Sequence, residues 1–334
     1  MLTKPNLSDA VIIACLRDDY ALDAADLAFL PLGADVDTAV YRATTRDGRD
    51  YFVKLRRGAF DDLTIHLPWF LRQQGITQVI APLPTRDAGL WARVDGYLLA
   101  VFPYVAGVNG YEMDLLDRHW VELGRALRAV HALDLPADLA SRIPRETYAA
   151  MWREKVRGFL ALVVEQSFAD PVSADLAALL RRQQPVIVEL VCRAETLAAT
   201  LSARRLPHVL CHADIHAGNV LIDAAGALYI VGWDTGTLAP KERDLMFPGG
   251  GLFGGWRSPR EEEALFYAGY GAAPIDRDAL AYYRCERIVQ DIAAYCEQIL
   301  LADADGPDRA NGLRLLSGQF RPGAVVEIAL RTPR

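Results

Sequence analysis

At about residue 105 the hydrophobic pattern of the chain changes period, and that change limits the folds open to it. Before it, runs such as AVYRATT (39–45), DYFVKLR (50–56) and GYLLAVFPYV (96–105) are short and β-rich, and turn residues, among them the Asp47-Gly48 pair, separate them. This pattern predicts a small antiparallel sheet with hairpin connections. Ser8 is placed to cap a short helix over 7–17, and residues 61–74 are long enough for one more, interrupted by Pro68. Beyond residue 105, Leu116, Trp120, Leu123, Leu127 and Val130 step by three or four and mark a buried helical stripe. Further helices are expected over 145–167, 173–203, 278–301 and 307–318, and the glycine-rich residues 249–255 read as a mobile loop. The expected fold class is α+β with two lobes: a sheet-bearing lobe over 1–105 and a mainly helical lobe over 106–334.

With 334 residues, 52% of them hydrophobic, the chain can bury a large core. A net charge of -7 argues against the basic stripe that a nucleic-acid backbone requires and suits a cationic partner better. The five cysteines have no CxxC pair and no zinc-like spacing, so reduced thiols are expected. Nothing approaches 18 uninterrupted apolar residues. A cytoplasmic protein with no membrane segment is the expectation.

The chemistry concentrates in CHADIHAGNVLID, residues 211–223. Asp214 and Asn219 place a carboxylate and an amide oxygen at the two ends of one tight loop. Phosphoryl transfer uses such a pair: the Asp orients the attacking hydroxyl and accepts its proton, and the Asn offers an oxygen to a magnesium ion that offsets phosphate charge. Asp and Asn that merely cap turns would look similar. Lys54, in YFVKL, reads either as a phosphate-binding lysine or as the solvated face of a strand.

With these elements in this order, the chain resembles the aminoglycoside phosphotransferases, relatives of the protein kinases, whose loop has the HxDxxxxN spacing. LAPKERDLMF (238–247), YYRCERIVQDIA (282–293) and the opening MLTKPNLSDAVI look most like the spectinomycin phosphotransferases. The resemblance implies a protein-kinase-like fold, ATP as donor, Mg2+, a cationic antibiotic as acceptor and Asp214 as the catalytic residue. It implies nucleotide contacts from Lys54, from Gly33 in a phosphate-covering turn, and from Phe102, Tyr104 and Val105 in an interlobe segment. Asp62 is the acid expected to pair with Lys54. His212 and Asp244 are expected to brace the loop, with His216 in a similar supporting role.

One position departs from the family. Where relatives carry the first Asp of Ile-Asp-Trp-Asp, this chain has Gly232, so the metal site is expected to keep Asn219 and lose a carboxylate. Asp234 faces the same side of an extended strand but stands about 6.5–7 Å away, and reaches only if the chain shifts. Three readings stay open: an active enzyme from which one substitution removed the acid, a kinase that moved its metal ligand, or a pseudoenzyme that binds nucleotide or antibiotic without turnover. A kinase for another small alcohol, such as choline, a sugar or a nucleoside antibiotic, remains an alternative. For the acceptor, carboxylates to pair amines and flat walls for rings are needed. Asp234 and Glu286 with Trp233 and Tyr283 are the first choices, and Glu242, Asp291, Tyr282 and Trp256 follow. Glu286 and Arg287 read equally well as a surface pair on a helix.

Overall fold

The computed structural model describes residues 4–31, 37–58, 61–301 and 307–333. It divides into two units, Met1–Met113 with Gly218–Gly236 and Asp114–Ala217 with Thr237–Arg334. In chain order the first unit opens with α1 (Asp9–Tyr20), β1 (Ala24–Leu30), β2 (Thr38–Thr45), β3 (Asp50–Arg57), α2 (Leu63–Gln73), β4 (Ala92–Val94), β5 (Tyr97–Pro103) and β6 (Gly107–Asn109). Strands β1 to β5 form one antiparallel sheet in the order β1-β2-β3-β5-β4. The Asp47-Gly48 connection closes the β2–β3 hairpin, with Gly48 at φ 81° and Thr45 and Arg49 paired at its base.

Alternation along β3 decides which side chains are available for chemistry. Tyr51, Val53 and Leu55 are buried and join Ile12, Leu16, Tyr41, Leu99 and Val101 in a core, whereas Phe52, Lys54 and Arg56 occupy the opposite face. Pro68 lies inside α2, a position that costs about 3 kcal/mol. Burial of Leu63, Ile65, Leu67 and Leu71, at roughly 1.5–3 kcal/mol each, more than offsets it.

The second unit begins at α3 (Asp117–His131), α4 (Ala137–Arg142), α5 (Met151–Glu165) and α6 (Pro171–Ser202), then β7 (Val209–Cys211). The chain returns to the first unit for β8 (Val220–Asp223) and β9 (Leu228–Ile230), which pair with β6 in a three-stranded sheet. A parallel bridge from Val79 to Ile230 ties this segment further to the first unit. The division therefore differs from a cut at 105/106: these backbone pairings bind 218–236 to the earlier residues. The second unit resumes with β10 (Thr237–Ala239), α7 (Glu242–Leu245), α8 (Pro259–Tyr270), α9 (Arg277–Cys296), α10 (Pro307–Gln319) and α11 (Val325–Arg331).

The expected stripe on α3 holds for Trp120, Leu123, Leu127 and Val130, but Leu116 is the exposed residue preceding the helix. Helices α3 and α8 touch backbone to backbone. A Cβ on Gly124 would sit 2.2 Å from the Phe266 carbonyl oxygen, and one on Gly269 only 1.8 Å from that of Val121. Helix α9 is buried on nearly every side, as a central helix must be. Residues 249–255 correct the mobile-loop expectation at their start: Gly249 and Gly250 are buried, and the Gly249 N–H donates to the Glu262 carboxylate at 2.9 Å. Among the described residues, no helix is long and apolar enough to cross a membrane.

Candidate active site

The loop carrying Asp214 is built on a buried carboxylate. Asp244, fully buried on α7, accepts the backbone N–H groups of His212 and Ala213 at 2.8 and 2.7 Å. His131 Nε2 lies 3.0 Å from the same carboxylate, and His131 Nδ1 is 2.8 Å from the Tyr270 hydroxyl. Burial alone would raise the pKa of Asp244; the hydrogen bond and charge of His131, with help from His212 and the Ala213 amide, hold it below the ordinary value. His131, Cys211 and Asp244 approach one another within 4.8 Å. With both Asp244 oxygens taken by amides and His131 shared with Tyr270, the group reads as a brace. Above it Ala213 adopts a left-handed φ of 68°, a strained conformation for a residue with a Cβ, and this turns the chain so that Asp214 follows.

His212 is buried, and its Nδ1 accepts the Asp214 N–H at 3.2 Å, which fixes the ring as a support. Arg287 and His216 both face the Asp214 carboxylate. Arg287 Nη1 donates to Oδ1, and His216 Nε2 stands 3.5 Å from Oδ2. Burial pushes the Asp214 pKa up, but the His216 contact and the Arg287 charge outweigh it and leave the carboxyl well below the usual carboxylate range. Asp214 is thus ionised throughout the neutral range and suits an orienting acceptor for a hydroxyl hydrogen.

The first unit holds the residues expected at the nucleotide. Lys54 Nζ lies 3.0 and 3.2 Å from the two oxygens of Asp234. This corrects the expected Lys54–Asp62 pair: Asp62 sits at the N-terminus of α2, 3.3 Å from His66 one turn on. It also places Asp234, expected among the acceptor ligands, beside Lys54. Phe102 packs edge-on to Phe52 with ring centroids 6.5 Å apart, and Tyr104 lies under Arg42 at 4.9 Å while its N–H donates to Asp50. Val105 is half-buried. Gly33 falls outside the described residues.

Gly232 has φ 81° and ψ 38°, and the Val231 N–H donates to the Asn219 carbonyl at 3.0 Å. A Cβ added to Gly232 would lie 2.7 Å from Asn219 Oδ1. A carboxylate at 232 would therefore converge on the Asn219 amide. As the chain stands, Asn219 offers one side-chain oxygen and Asp234 is engaged by Lys54. These residues fit magnesium poorly, since it is usually held by one or two carboxylates besides phosphate oxygens and water.

Several acceptor expectations fail for lack of exposure. Trp233 is buried and its Nε1 donates to the Ile230 carbonyl at 3.1 Å. Glu286 is buried and bonded to Arg153 at 2.7 Å, so its charge is already matched inside the fold. Tyr283 is fully buried with the Arg243 guanidinium 5.4 Å over its ring, and Tyr282 is buried beside it. Glu242 is buried between Lys241 and the Asp276 N–H. Asp291 contacts Arg287 and Gln319, while Trp256 is exposed.

Arg287 is the residue that sequence reasoning missed. Adjacent residues on a helix do not face each other, so Glu286 and Arg287 point in different directions, and the informative spacing was Arg287 to Asp291.

Residues 28–284 match the model of the phosphotransferase enzyme family (APH). A curated relative, protein StrN of Streptomyces griseus, is 26% identical over 292 residues, covering 84% of this chain and 82% of its own. The crystal structure of spectinomycin phosphotransferase APH(9)-Ia in complex with ADP and spectinomycin is 33% identical, with a TM-score of 0.91, 98% of this chain covered and 99% of that one. Amicoumacin kinase hAmiN shares the fold at 16% identity, TM-score 0.63, with 98% of this chain and 95% of that one covered. The sheet-bearing and helical units, the braced Asp214 loop and a family match over most of the chain lead to one conclusion: this chain belongs to the APH phosphotransferase family and has its kinase-like fold.

Proposed function

We propose that the chain transfers the γ-phosphoryl group of ATP to a ring hydroxyl of an aminocyclitol antibiotic, spectinomycin, and so confers resistance in the cytoplasm. The observation that carries this reading is the state of Asp214, a carboxylate braced from below and kept ionised, on a chain similar over nearly its full length to a spectinomycin phosphotransferase. Asp214 accepts the hydrogen of the acceptor hydroxyl and aims its oxygen at phosphorus. Lys54 exchanges Asp234 for phosphate oxygens, and charge on the cationic drug matches the acidic balance of the chain. Magnesium would supply charge compensation at the phosphates, and Asn219 is the side chain that would hold it, weakly for want of a carboxylate at 232.

Gly232 favours a second reading, a protein that binds nucleotide or drug without turnover. Magnesium-dependent ATP consumption with spectinomycin, measured for wild type and Gly232→Asp, separates the two. Turnover by either protein supports the kinase. Tight drug binding by calorimetry with no product in both supports sequestration. If both are folded and neither binds drug nor consumes ATP with it, the spectinomycin assignment is wrong, and a panel of choline, sugars and nucleoside antibiotics becomes the next test.

A further inference from the structure

Helix α9 reaches the Asp214 loop through one side chain. The Arg287 guanidinium lies over the Phe247 ring at 5.7 Å, donates to Asp214 Oδ1, and has its Nε 3.0 Å from Asp291 Oδ1 one turn along the helix. Asp291 is held in turn: its Oδ2 accepts from Gln319 Nε2, the last residue of α10, at 2.9 Å. The Arg287 and Asp291 side chains are each only 17% exposed. Such a pair is screened far less by solvent than the surface pair expected from sequence.

A carboxylate has about four lone-pair sites. Arg287 takes one of them on Oδ1, and His216 Nε2 stands 3.5 Å from Oδ2. A carboxylate oxygen accepts more than one hydrogen bond, and the flat guanidinium, over the Phe247 ring and ion-paired with Asp291, stops the carboxylate from rotating.

We propose that Arg287 is a positioning residue for phosphoryl transfer: it holds Oδ1 of Asp214, is itself ion-paired with Asp291, and thereby fixes the direction in which the carboxylate meets the acceptor hydroxyl. This rests on the reading of Asp214 as the group that orients that hydroxyl. A carboxylate free to swing loses aim, and a displacement of about 1 Å costs on the order of 100-fold in rate. The effect belongs in kcat more than in the KM for ATP, because Arg287 is not among the residues assigned to the nucleotide.

Among the groups around Asp214 are His216, facing the carboxylate, and His212, at the backbone N–H, from its own loop, and Arg287 from α9, with Asp291 behind the arginine. Removing the arginine charge lets the Asp214 pKa rise. The test takes wild type, Arg287→Met, Arg287→Lys and Asp291→Asn, each also carrying Gly232→Asp, and measures pH profiles with spectinomycin. The Asp214 side-chain carboxyl is titrated in parallel by carbon NMR. Arg287→Met is expected to lower kcat roughly 10- to 100-fold, to leave the KM for ATP within about twofold and to move the acid limb and the carboxyl titration to higher pH. Arg287→Lys recovers part of each change, and Asp291→Asn shifts them in the same direction by less.

An Asp214 titration unchanged by Arg287→Met, or wild-type kcat in that variant, overturns the proposal. If no protein in the set consumes ATP with spectinomycin, the functional reading fails, and the NMR titration alone decides whether Arg287 holds the carboxylate. Full turnover by Asp214→Asn would remove both.

Discussion

The Cβ position of Gly232 points at the side-chain oxygen of Asn219 from 2.7 Å. The backbone there is left-handed, at φ 81°, a region that Asp tolerates better than most residues, though not freely. Gly232→Asp is therefore expected to cost about 1–2 kcal/mol of stability while Asn219 shifts by a rotamer change, and to place a carboxylate beside the amide oxygen. Calorimetry of ADP with and without magnesium should show a larger magnesium-dependent gain in affinity for Gly232→Asp than for wild type. Gly232→Ala, with the same strain and no oxygen, should show the stability loss alone. Equal magnesium dependence in all three proteins would mean that position 232 does not face the metal.

Lys54 and Asp234 make a partly exposed pair, so breaking it should leave the melting temperature nearly unchanged, within about 1 kcal/mol of stability. Its consequence lies in binding. On the proposed function, nucleotide phosphates draw Lys54 away from Asp234, and Asp234→Asn removes that competition. ADP affinity is expected to rise a few-fold in Asp234→Asn and to fall about tenfold or more in Lys54→Met. If Asp234→Asn instead weakens ADP binding as much as Lys54→Met does, Asp234 is itself a ligand-side residue and the competition argument fails.

How much of this was written in the chain follows from where each side chain gets its direction. The Lys54 face of β3 was legible because strand alternation is local. The partner of Lys54 was not: Asp62 is nearer in sequence, but it starts a helix and turns to His66, whereas Asp234 is brought over by the β6–β8–β9 pairing. Glu286 and Tyr283 looked like pocket residues because a charged or aromatic residue on a helix carries no mark of its surroundings. Burial of α9 on nearly every side, a property of the helices packed around it, is what removes them from the surface.

Asp244 predicts a large effect far from any ligand. Two backbone N–H groups and His131 depend on its carboxylate, and all of them are buried. Asp244→Ala leaves those donors without their acceptor, at about 1–3 kcal/mol each, so a loss of roughly 3–5 kcal/mol and poor yield of folded protein are expected. Asp244→Asn keeps one acceptor oxygen and should lose less. Thermal unfolding of the two variants decides this, and an alanine protein as stable as wild type would show that the loop does not rest on Asp244.

Glu262 gives the fold a pH dependence of unusual sign. Burial raises its pKa to about 7; the charge of Glu263 adds to the rise, while the Gly249 N–H, Arg284 and Arg257 oppose it. The folded state therefore binds more protons than the unfolded state between the ordinary glutamate value of 4.5 and about 7. Stability from this group is present in acid, declines as pH climbs through that window and is flat above it. Glu262→Gln keeps an acceptor for the Gly249 N–H and removes the titration. The glutamine variant should thus gain on wild type between pH 5 and pH 8, by on the order of 2–3 kcal/mol at most. Paired melting curves at the two pH values provide the measurement, and a difference between the proteins that stays constant with pH would show that Glu262 titrates normally in the folded state.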